Sequence, residues 1–239
     1  MKVLWVKDNN IGHEKQVKIL LDELNKNVDL DIDERDVKGF YPLFTYLEDI
    51  EKKKYDFIIG AGHRTYSLIL SIKKNQKENT KSIAILSPTF HKDKFDIICS
   101  PSHDKDKFKK TNNIIFFEGS LAKVSDKDTD ENIIMVAVGG KNKHFVFDEN
   151  HIISQIDYFI SIHPNKNCYI FNSRRTPSST NQKLASLKSI YENVTFCDLN
   201  IGSNEFEKIL EIASSKLITR DSVNMIFESL SCKGKTYLI

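Results

Sequence analysis

The stretch from Tyr55 to Ile72, YDFIIGAGHRTYSLILSI, decides the fold class of this chain. Its first half is a short apolar run that ends in Gly60-Ala61-Gly62, and its second half places Leu68, Ile69 and Ile72 at helical spacing. A buried strand, a glycine turn and a helix in this order are typical of a parallel sheet with crossover helices. The stretch therefore predicts an α/β protein.

The same alternation recurs on both sides of this stretch, in two series separated by the polar run Ser125–Glu131. The predicted strands cover residues 3–6, 28–32, 55–59, 82–86, 95–98 and 114–117, and then 133–138, 168–171, 194–197, 216–219 and 236–239. The predicted helices cover residues 13–26, a segment after residue 62, and then 150–161, 180–190, 204–214 and 222–231. We predict two Rossmann-like, doubly wound parallel-sheet domains, over residues 1–126 and 127–239.

Composition excludes several classes of protein. The 239 residues carry a formal net charge of +2, whereas a dedicated nucleic-acid-binding protein shows a strong basic excess. The four cysteines lie far apart without a CxxC pair, which argues against zinc and thioredoxin-type sites and favours a reducing compartment. No apolar run approaches about 18 residues, and the strand pattern at Val3 leaves no room for a signal peptide. We expect a cytoplasmic protein without a transmembrane segment, and leave peripheral attachment to the inner membrane face open.

Residues that directly follow the predicted strands are the candidate site residues, because open parallel sheets bind ligands beyond the carboxyl ends of their strands. A glycine turn before a helix suits an anion, and a His or Glu there can accept a proton from a substrate hydroxyl. In each case the alternative to a binding or catalytic role is a purely structural one, as a polar helix start, a tight turn or a plain loop. The candidates in the first series are Gly12, His13, Glu14, Gly62, Arg64, His103 and Asp104.

The second series predicts a diphosphate site. Two of the five arginines of this Lys-rich chain stand together after a strand, and a guanidinium binds phosphate with two parallel hydrogen bonds. A serine-capped helix after the fourth strand adds the positive end of its dipole, and Glu228 on that helix suits ribose hydroxyls. The alternative to a diphosphate site is that Gly139-Gly140 form a plain loop and that Glu228 is an exposed helix residue. The candidates here are Gly139, Gly140, Ser173, Arg174, Arg175, Asp221, Ser222 and Glu228.

Taken in order, these motifs resemble those of the elongated-mitochondria (mitochondrial fission) family and its bacterial, glycosyltransferase-B-like branch. The resemblance covers nearly the whole chain, although the Lys-Pro of the family is Asn10-Ile11 here. The matching pieces are Gly12-His13-Glu14 with Gln16, Ala61–Thr65, Pro101 with His103-Asp104, Gly139-Gly140 with His144, Ser173–Pro177, and Asp221-Ser222 through Met225 and Glu228 to Gly234-Lys235.

The resemblance implies two Rossmann-like domains that face a cleft. The second would bind a nucleotide-sugar donor, with Arg174, Gly140 and Ser222 at the diphosphate and Glu228 on the ribose. The first would bind a cell-envelope glycan or lipopolysaccharide-core acceptor, lipid-linked at the membrane surface, with His13 or Glu14 as base. The family's chemistry implies no metal or other cofactor. It also leads us to expect further helices after the last strand, so that the C-terminus is shorter than expected.

Two other functions stay open beside glycosyl transfer. A non-catalytic scaffold could keep the fold and bind a protein partner. An NAD-dependent sugar epimerase would need a complete dinucleotide fingerprint and a Tyr-xxx-Lys pair, neither of which the sequence contains. The aromatic run Phe40, Tyr41, Leu43, Phe44 and Tyr46 suits either an acceptor patch or a core segment. Asp29-Leu30-Asp31 lies inside a predicted strand, and this agrees with metal-independent transfer.

Overall fold

The structure, a computed structural model, describes residues 1–37, 53–109, 111–143, 145–199 and 205–239. It divides into two compact units, Met1–Leu121 and Ala122–Ile239. The predicted boundary after residue 126 lies a little further along the chain. The aromatic run at residues 40–46 and His144 lie outside the described residues.

Unit 1 is a six-stranded parallel sheet in the order β2-β1-β3-β4-β5-β6, with helices on both faces. Val17 and Leu21 of the first helix pack on one face, and Tyr66 and Ile69 of the second helix pack on the other. The elements are β1 (Lys2–Lys7), α1 (Ile11–Asn25), β2 (Asp31–Asp36), β3 (Phe57–Ala61), α2 (His63–Lys74), β4 (Lys81–Ile85), a 3₁₀ helix (Lys92–Lys94), β5 (Ile97–Pro101), a 3₁₀ helix (Ser102–Phe108) and β6 (Ile114–Phe117).

Unit 2 is a five-stranded parallel sheet in the order β11-β10-β7-β8-β9. Ile152 and Ile156 of its first helix and Leu184 of its second pack with the buried strand residues. The elements are β7 (Asp130–Ala137), α3 (Glu149–Ser161), β8 (Asn167–Phe171), α4 (Ser178–Ser186), a 3₁₀ helix (Leu187–Ser189), β9 (Val194–Cys197), α5 (Glu205–Ile212), β10 (Ala213–Ile218), α6 (Val223–Leu230) and β11 (Lys235–Leu238).

Five predicted strands begin two or more residues away from their observed start, namely β2, β3, β5, β7 and β10. β2 starts at Asp31, so Asp29 and Leu30 precede the strand instead of lying in it. β5 covers residues 97–101 instead of 95–98, because its pairing with β4 and β6 fixes the strand and the apolar Phe95 lies buried outside it. β7 starts at Asp130 and so takes up the end of the run predicted as a linker.

The cysteines are core residues. All four are free thiols, and three of them are buried. Burial raises the pKa of Cys168 to about 12, so this thiol stays protonated and unreactive near neutral pH. In the described part of the chain, no helix is long and apolar enough to cross a membrane.

Candidate functional site

Unit 1 has its topological switch point between β1 and β3. The chain leaves β1 towards β2 on one side and returns to β3 on the other. In open α/β sheets, the crevice outside the carboxyl ends of the strands at this point is the usual ligand site. Asp8 follows β1 here, and Gly62 follows β3.

A carboxylate–imidazole pair stands at this point. Asp8 is buried, and its Oδ1 accepts the backbone N–H of Asn10 at 3.0 Å. Its Oδ2 lies 2.7 Å from Nδ1 of His13, which is in the first turn of α1 and partly exposed. Because a carboxylate can only accept, Nδ1 carries a proton, and in the neutral imidazole Nε2 holds the lone pair. An imidazole oriented in this way has the geometry that a general base requires.

Gly62 makes room for this pair. A Cβ at this position would lie 2.5 Å from both Asp8 Oδ2 and His13 Nδ1, and the residue has φ +87°. Gly62 is therefore required by the side chains packed over it. Gly12 has a different role: its N–H donates to Oδ1 of Asn10 at 3.0 Å, which caps α1.

Glu14 and Arg64, two further predicted site residues, differ in their partners. Oε2 of Glu14 lies 3.5 Å from Nζ of Lys7, which also pairs with Glu34 at 3.0 Å. The hydrogen bond to Glu34 raises the pKa of Lys7, against an opposing effect of burial, and Glu14 adds to the rise. With Glu14 held by a cation, His13 is the better placed base. Arg64 is exposed in the first turn of α2 and has no hydrogen bond or ion pair among the described residues.

His103 and Asp104, two further predicted site residues, are not hydrogen-bonded to each other. Nε2 of His103 lies 3.9 Å from Oδ1 of Asp104, too far for a hydrogen bond, and the histidine is exposed. Asp104 instead accepts a hydrogen bond from Ser87 and pairs with Lys107. Burial acts to raise the pKa of Asp104, but the hydrogen bonds from Lys107 and Ser87 outweigh it and lower the pKa. This carboxylate therefore joins the ends of β4 and β5.

Unit 2 has its switch point between β7 and β10. The N–H of Gly139 donates to Oγ1 of Thr219 at 2.7 Å, and the N–H of Gly140 donates to Oδ2 of Asp221 at 2.9 Å. Thr219 Oγ1 in turn donates to Oδ1 of Asp221 at 2.6 Å. Both amides are thus bonded within the protein, and the role of Gly139 and Gly140 at the diphosphate stays a prediction.

Asp221 is the buried centre of this loop cluster. Its side chain is fully buried, and its Oδ2 accepts from Arg175 at 2.7 Å. Arg175 also reaches the carbonyl of Gly140 at 3.3 Å. A Cβ on Gly139 would lie 2.2 Å from the Asp221 carboxylate, and one on Gly140 would lie 2.0 Å from the Arg175 carbonyl. Asp221 and Arg175 therefore hold the two loops together, and packing explains why glycine stands at both positions.

Arg174 is an exposed cation at the same edge of the sheet. Within the described residues it makes no hydrogen bond or ion pair. Ser173, beside it, donates to the Gly139 carbonyl at 2.9 Å. Ser222 caps α6, accepting the N–H of Met225 at 3.5 Å. Glu228 lies further along α6 and is 9% exposed.

Two functional features escaped the sequence reasoning. Asp8 was overlooked, although an aspartate directly after a buried strand and five residues before His13 was a readable signal. Arg220, the residue before Asp221, was not selected as a site residue either. Its guanidinium lies 6.0 Å from the centre of the Phe145 ring. It adds a further cation after β10.

Solved structures share this fold across almost the whole chain. A Listeria monocytogenes protein assigned as a UDP-N-acetylglucosamine 2-epimerase matches with a TM-score of 0.66 at 10% identity, over 99% of this chain and 78% of that one. The Staphylococcus aureus MnaA–UDP co-structure matches with 0.58 at 10% identity, over 96% and 77%. The lipopolysaccharide outer core galactosyltransferase WaaB matches with 0.51 at 10% identity, over 100% and 86%. The two parallel-sheet domains thus resemble the glycosyltransferase-B fold, as predicted.

Sequence comparison gives the family. The uncharacterized protein RP120 of Rickettsia prowazekii (strain Madrid E) is 26% identical over 254 residues, which cover 83% of this chain and 70% of that protein. The family model described as mitochondrial fission ELM1 matches residues 11–239. The motifs quoted from the sequence fall inside that range, and the chain belongs to the mitochondrial fission ELM1 family.

Proposed function

We propose that the chain is a glycosyltransferase that moves a sugar from a nucleoside-diphosphate sugar to a hydroxyl of a cell-envelope glycan or lipopolysaccharide-core acceptor. The observation that carries the proposal is the 2.7 Å contact between Asp8 and His13 at the switch point of unit 1. A protein that only binds a nucleotide sugar has no use for an oriented general base, whereas direct displacement at the anomeric carbon by a hydroxyl needs a group that takes up the proton. The shared fold supports a nucleotide-sugar substrate, since solved relatives in fold include a UDP complex.

Unit 2 would bind the donor. Arg174 is exposed and free to form two parallel hydrogen bonds to the diphosphate. Arg175 and Asp221 would act as positioning residues, because they lock the loops after β7, β8 and β10 to one another. The N-terminus of α6, capped by Ser222, adds positive potential at this edge. Glu228 stays our candidate for the ribose hydroxyls.

Unit 1 would bind the acceptor and take its proton. Nε2 of His13 accepts the proton of the acceptor hydroxyl while that oxygen bonds to the anomeric carbon of the sugar. The bond from the anomeric carbon to the phosphate oxygen breaks, and its electron pair leaves with the nucleoside diphosphate, whose charge Arg174 offsets. Asp8 stabilises the imidazolium that forms. Arg64, exposed at the start of α2, would hold an anionic group of the acceptor. Metal independence remains part of this proposal.

Donor turnover tests the proposal. The protein is incubated with UDP-, GDP-, CMP- and ADP-sugars, with and without a lipopolysaccharide extract, and the released nucleotide is measured. We expect release from one donor that depends on the extract and falls by about 10²–10⁴-fold in His13→Ala. The control variant is His151→Ala, which removes an imidazole from the first turn of α3 in unit 2.

Other outcomes contradict the proposal. Conversion of the donor sugar to an epimer without acceptor would assign the chain to the epimerases that share the fold. Binding without turnover, unchanged in His13→Ala, would favour the scaffold. Equal loss in His151→Ala would show that the effect is not specific to the Asp8–His13 pair.

A further inference from the structure

Gln16 carries a buried polar group that the fold does not use. It lies in the second turn of α1 and is 6% exposed, and its Oε1 is buried without a hydrogen bond from any described residue. The carboxamide of Gln76, by contrast, accepts the N–H of Tyr55 at 3.0 Å and donates to the carbonyl of Lys53 at 3.3 Å. Buried polar groups are nearly always paired, because an unpaired one has lost its hydration without return. The carboxamide of Gln16 therefore calls for a partner from outside the chain.

Gln16 is a neighbour of the Asp8–His13 pair on α1. Residues three apart on a helix lie on the same face, with Cβ atoms about 5–6 Å apart. Helical side chains lean towards the N-terminus of the helix, so that of Gln16 leans towards the turn that holds His13. Val17, the following residue, belongs to the same core cluster as Ala61, the last residue of β3. Gln16 therefore lies at the carboxyl edge of the sheet, beside the proposed base.

The surroundings of Gln16 favour an uncharged ligand group. Glu14 reaches Lys7 at 3.5 Å, and residues two positions apart on a helix point about 200° apart, so Gln16 faces away from this ion pair. A hydroxyl both donates and accepts, so it pairs with a carboxamide in either orientation of that group. Because a sugar ring carries hydroxyls on adjacent carbons, one hydroxyl can reach His13 while the next reaches Gln16.

We propose that Gln16 is an acceptor-binding residue of this site, and that its carboxamide hydrogen-bonds the acceptor hydroxyl adjacent to the one that reacts. The reacting hydroxyl gives its proton to His13, whereas the hydroxyl held by Gln16 undergoes no bond change. Gln16 would thus select acceptors that carry two neighbouring hydroxyls. This inference rests on the proposed transfer, since the acceptor is a substrate of that reaction.

The substitution Gln16→Met tests this role, because methionine keeps the length of the side chain and removes both polar atoms. We expect the unfolding temperature of the free protein to rise by about 2–4 °C, since a buried oxygen without a partner is lost. We also expect KM for the acceptor to rise by about 5–10-fold with kcat little changed, because the hydrogen bond is the same before and during transfer. His13→Ala, in contrast, lowers kcat.

Gln76→Met is the matched control. It makes the same change in unit 1 at a carboxamide whose two hydrogen bonds lie within the chain, to residues that precede β3. It should lower the unfolding temperature and leave KM for the acceptor unchanged. A raised KM in Gln16→Met, with an unfolding temperature at or above that of wild type, supports the proposal. A lower unfolding temperature in Gln16→Met would overturn it, because the carboxamide would then be paired within the folded protein, and so would an unchanged KM.

Oligosaccharide binding separates this inference from the proposed transfer. Lipopolysaccharide-core oligosaccharide, freed of lipid, is added without nucleotide, and the rise in unfolding temperature is measured. If wild type shows no turnover, the proposed transfer fails, and this rise decides the role of Gln16. A rise in wild type that Gln16→Met loses and Gln76→Met keeps would establish Gln16 as a glycan-binding residue. No rise in wild type, or an equal rise in Gln16→Met, would then overturn the inference as well.

Discussion

At the residue scale, the chemistry of the chain depends on contacts that adjacency in sequence does not reveal. His13 was selected as a base from its place after a strand, and the structure supplies its partner, Asp8. His103 and Asp104 are neighbours in sequence, yet their side chains are not hydrogen-bonded. The position of a residue after a strand follows from the sequence pattern, so it could be predicted. The contacts between side chains depend on how the loops pack, so they could not be predicted.

The substitution Asp8→Asn tests the role of the carboxylate. The amide group of Asn can donate to Nδ1 of His13, which moves the imidazole proton to Nε2 and removes the acceptor. We expect turnover to fall by about 10²–10⁴-fold while the unfolding temperature changes little, because the side chains have the same shape. The double variant with His13→Ala should lose no more than either single variant. Turnover that stays near the wild-type value would show that His13 needs no orienting carboxylate.

Gly62→Ala tests why glycine stands beneath this pair. The added Cβ would lie 2.5 Å from Asp8 Oδ2 in a residue with φ +87°. Chemical unfolding should give a free energy lower by about 1–3 kcal/mol, and turnover should fall as the pair is displaced. Gly119→Ala is the control, since Gly119 also has a positive φ of 61° but lies outside the proposed site. An equal loss of turnover in both variants would contradict this role for Gly62.

At the element scale, parallel strands were easier to predict than their ends. A strand buried on both faces is a continuous apolar run, and this pattern anticipated the central strands of both sheets. The exposed edge strand β2, with the sequence Asp-Ile-Asp-Glu-Arg-Asp, was anticipated only at its first two residues. The ends moved where pairing, and not composition, decides, as at β2 and β5. The contact of the Gly140 amide with Asp221 joins residues 81 positions apart, so no local pattern could show that the amide was already used.

Asp96 fastens α2 to β4 and makes this connection sensitive to pH. Burial opposes ionisation of its carboxylate, but hydrogen bonds from Lys73 and Ser82 outweigh it and lower the pKa of Asp96 from 3.8 to about 2. A lowered pKa stabilises the fold above pH 3.8, and this contribution is lost as the pH falls through 2. Between pH 5 and pH 2, the free energy of unfolding should therefore decrease less in Asp96→Asn than in wild type. The difference between the two decreases should be about 1 kcal/mol after allowance for solvent screening.

Asp106→Asn is the control for that measurement, because it removes an exposed carboxylate of the same unit. If the free energies of unfolding of wild type and Asp96→Asn fall in parallel on acidification, the contacts with Lys73 and Ser82 do not lower the pKa of Asp96. If Asp106→Asn alters the slope as much as Asp96→Asn, the effect belongs to net charge and not to this connection.

At the scale of the whole molecule, the two units repeat one plan. Each is a parallel sheet with a switch point and a buried carboxylate at it. Asp8 bonds within its own β1–α1 connection, to Asn10 and His13, whereas Asp221 bonds to Gly140 and Arg175 of the neighbouring loops. The carboxylate of unit 1 holds the His13 imidazole, and that of unit 2 holds the Arg175 guanidinium. The two-domain α/β fold was predictable from the alternating pattern alone, whereas this division of roles required the contacts.

The central claim is that unit 2 holds a nucleotide sugar through Arg174, and calorimetric titration with UDP, GDP, CMP and ADP and their sugar conjugates tests it most directly. Wild type is compared with Arg174→Ala and with Lys188→Ala, an exposed cation at the opposite end of the unit 2 sheet. We predict that one nucleotide binds, and that its affinity falls by about 10–100-fold in Arg174→Ala only, the loss expected for a charged hydrogen bond. Affinity unchanged in Arg174→Ala, or no binding of any nucleotide to the folded protein, would contradict the account.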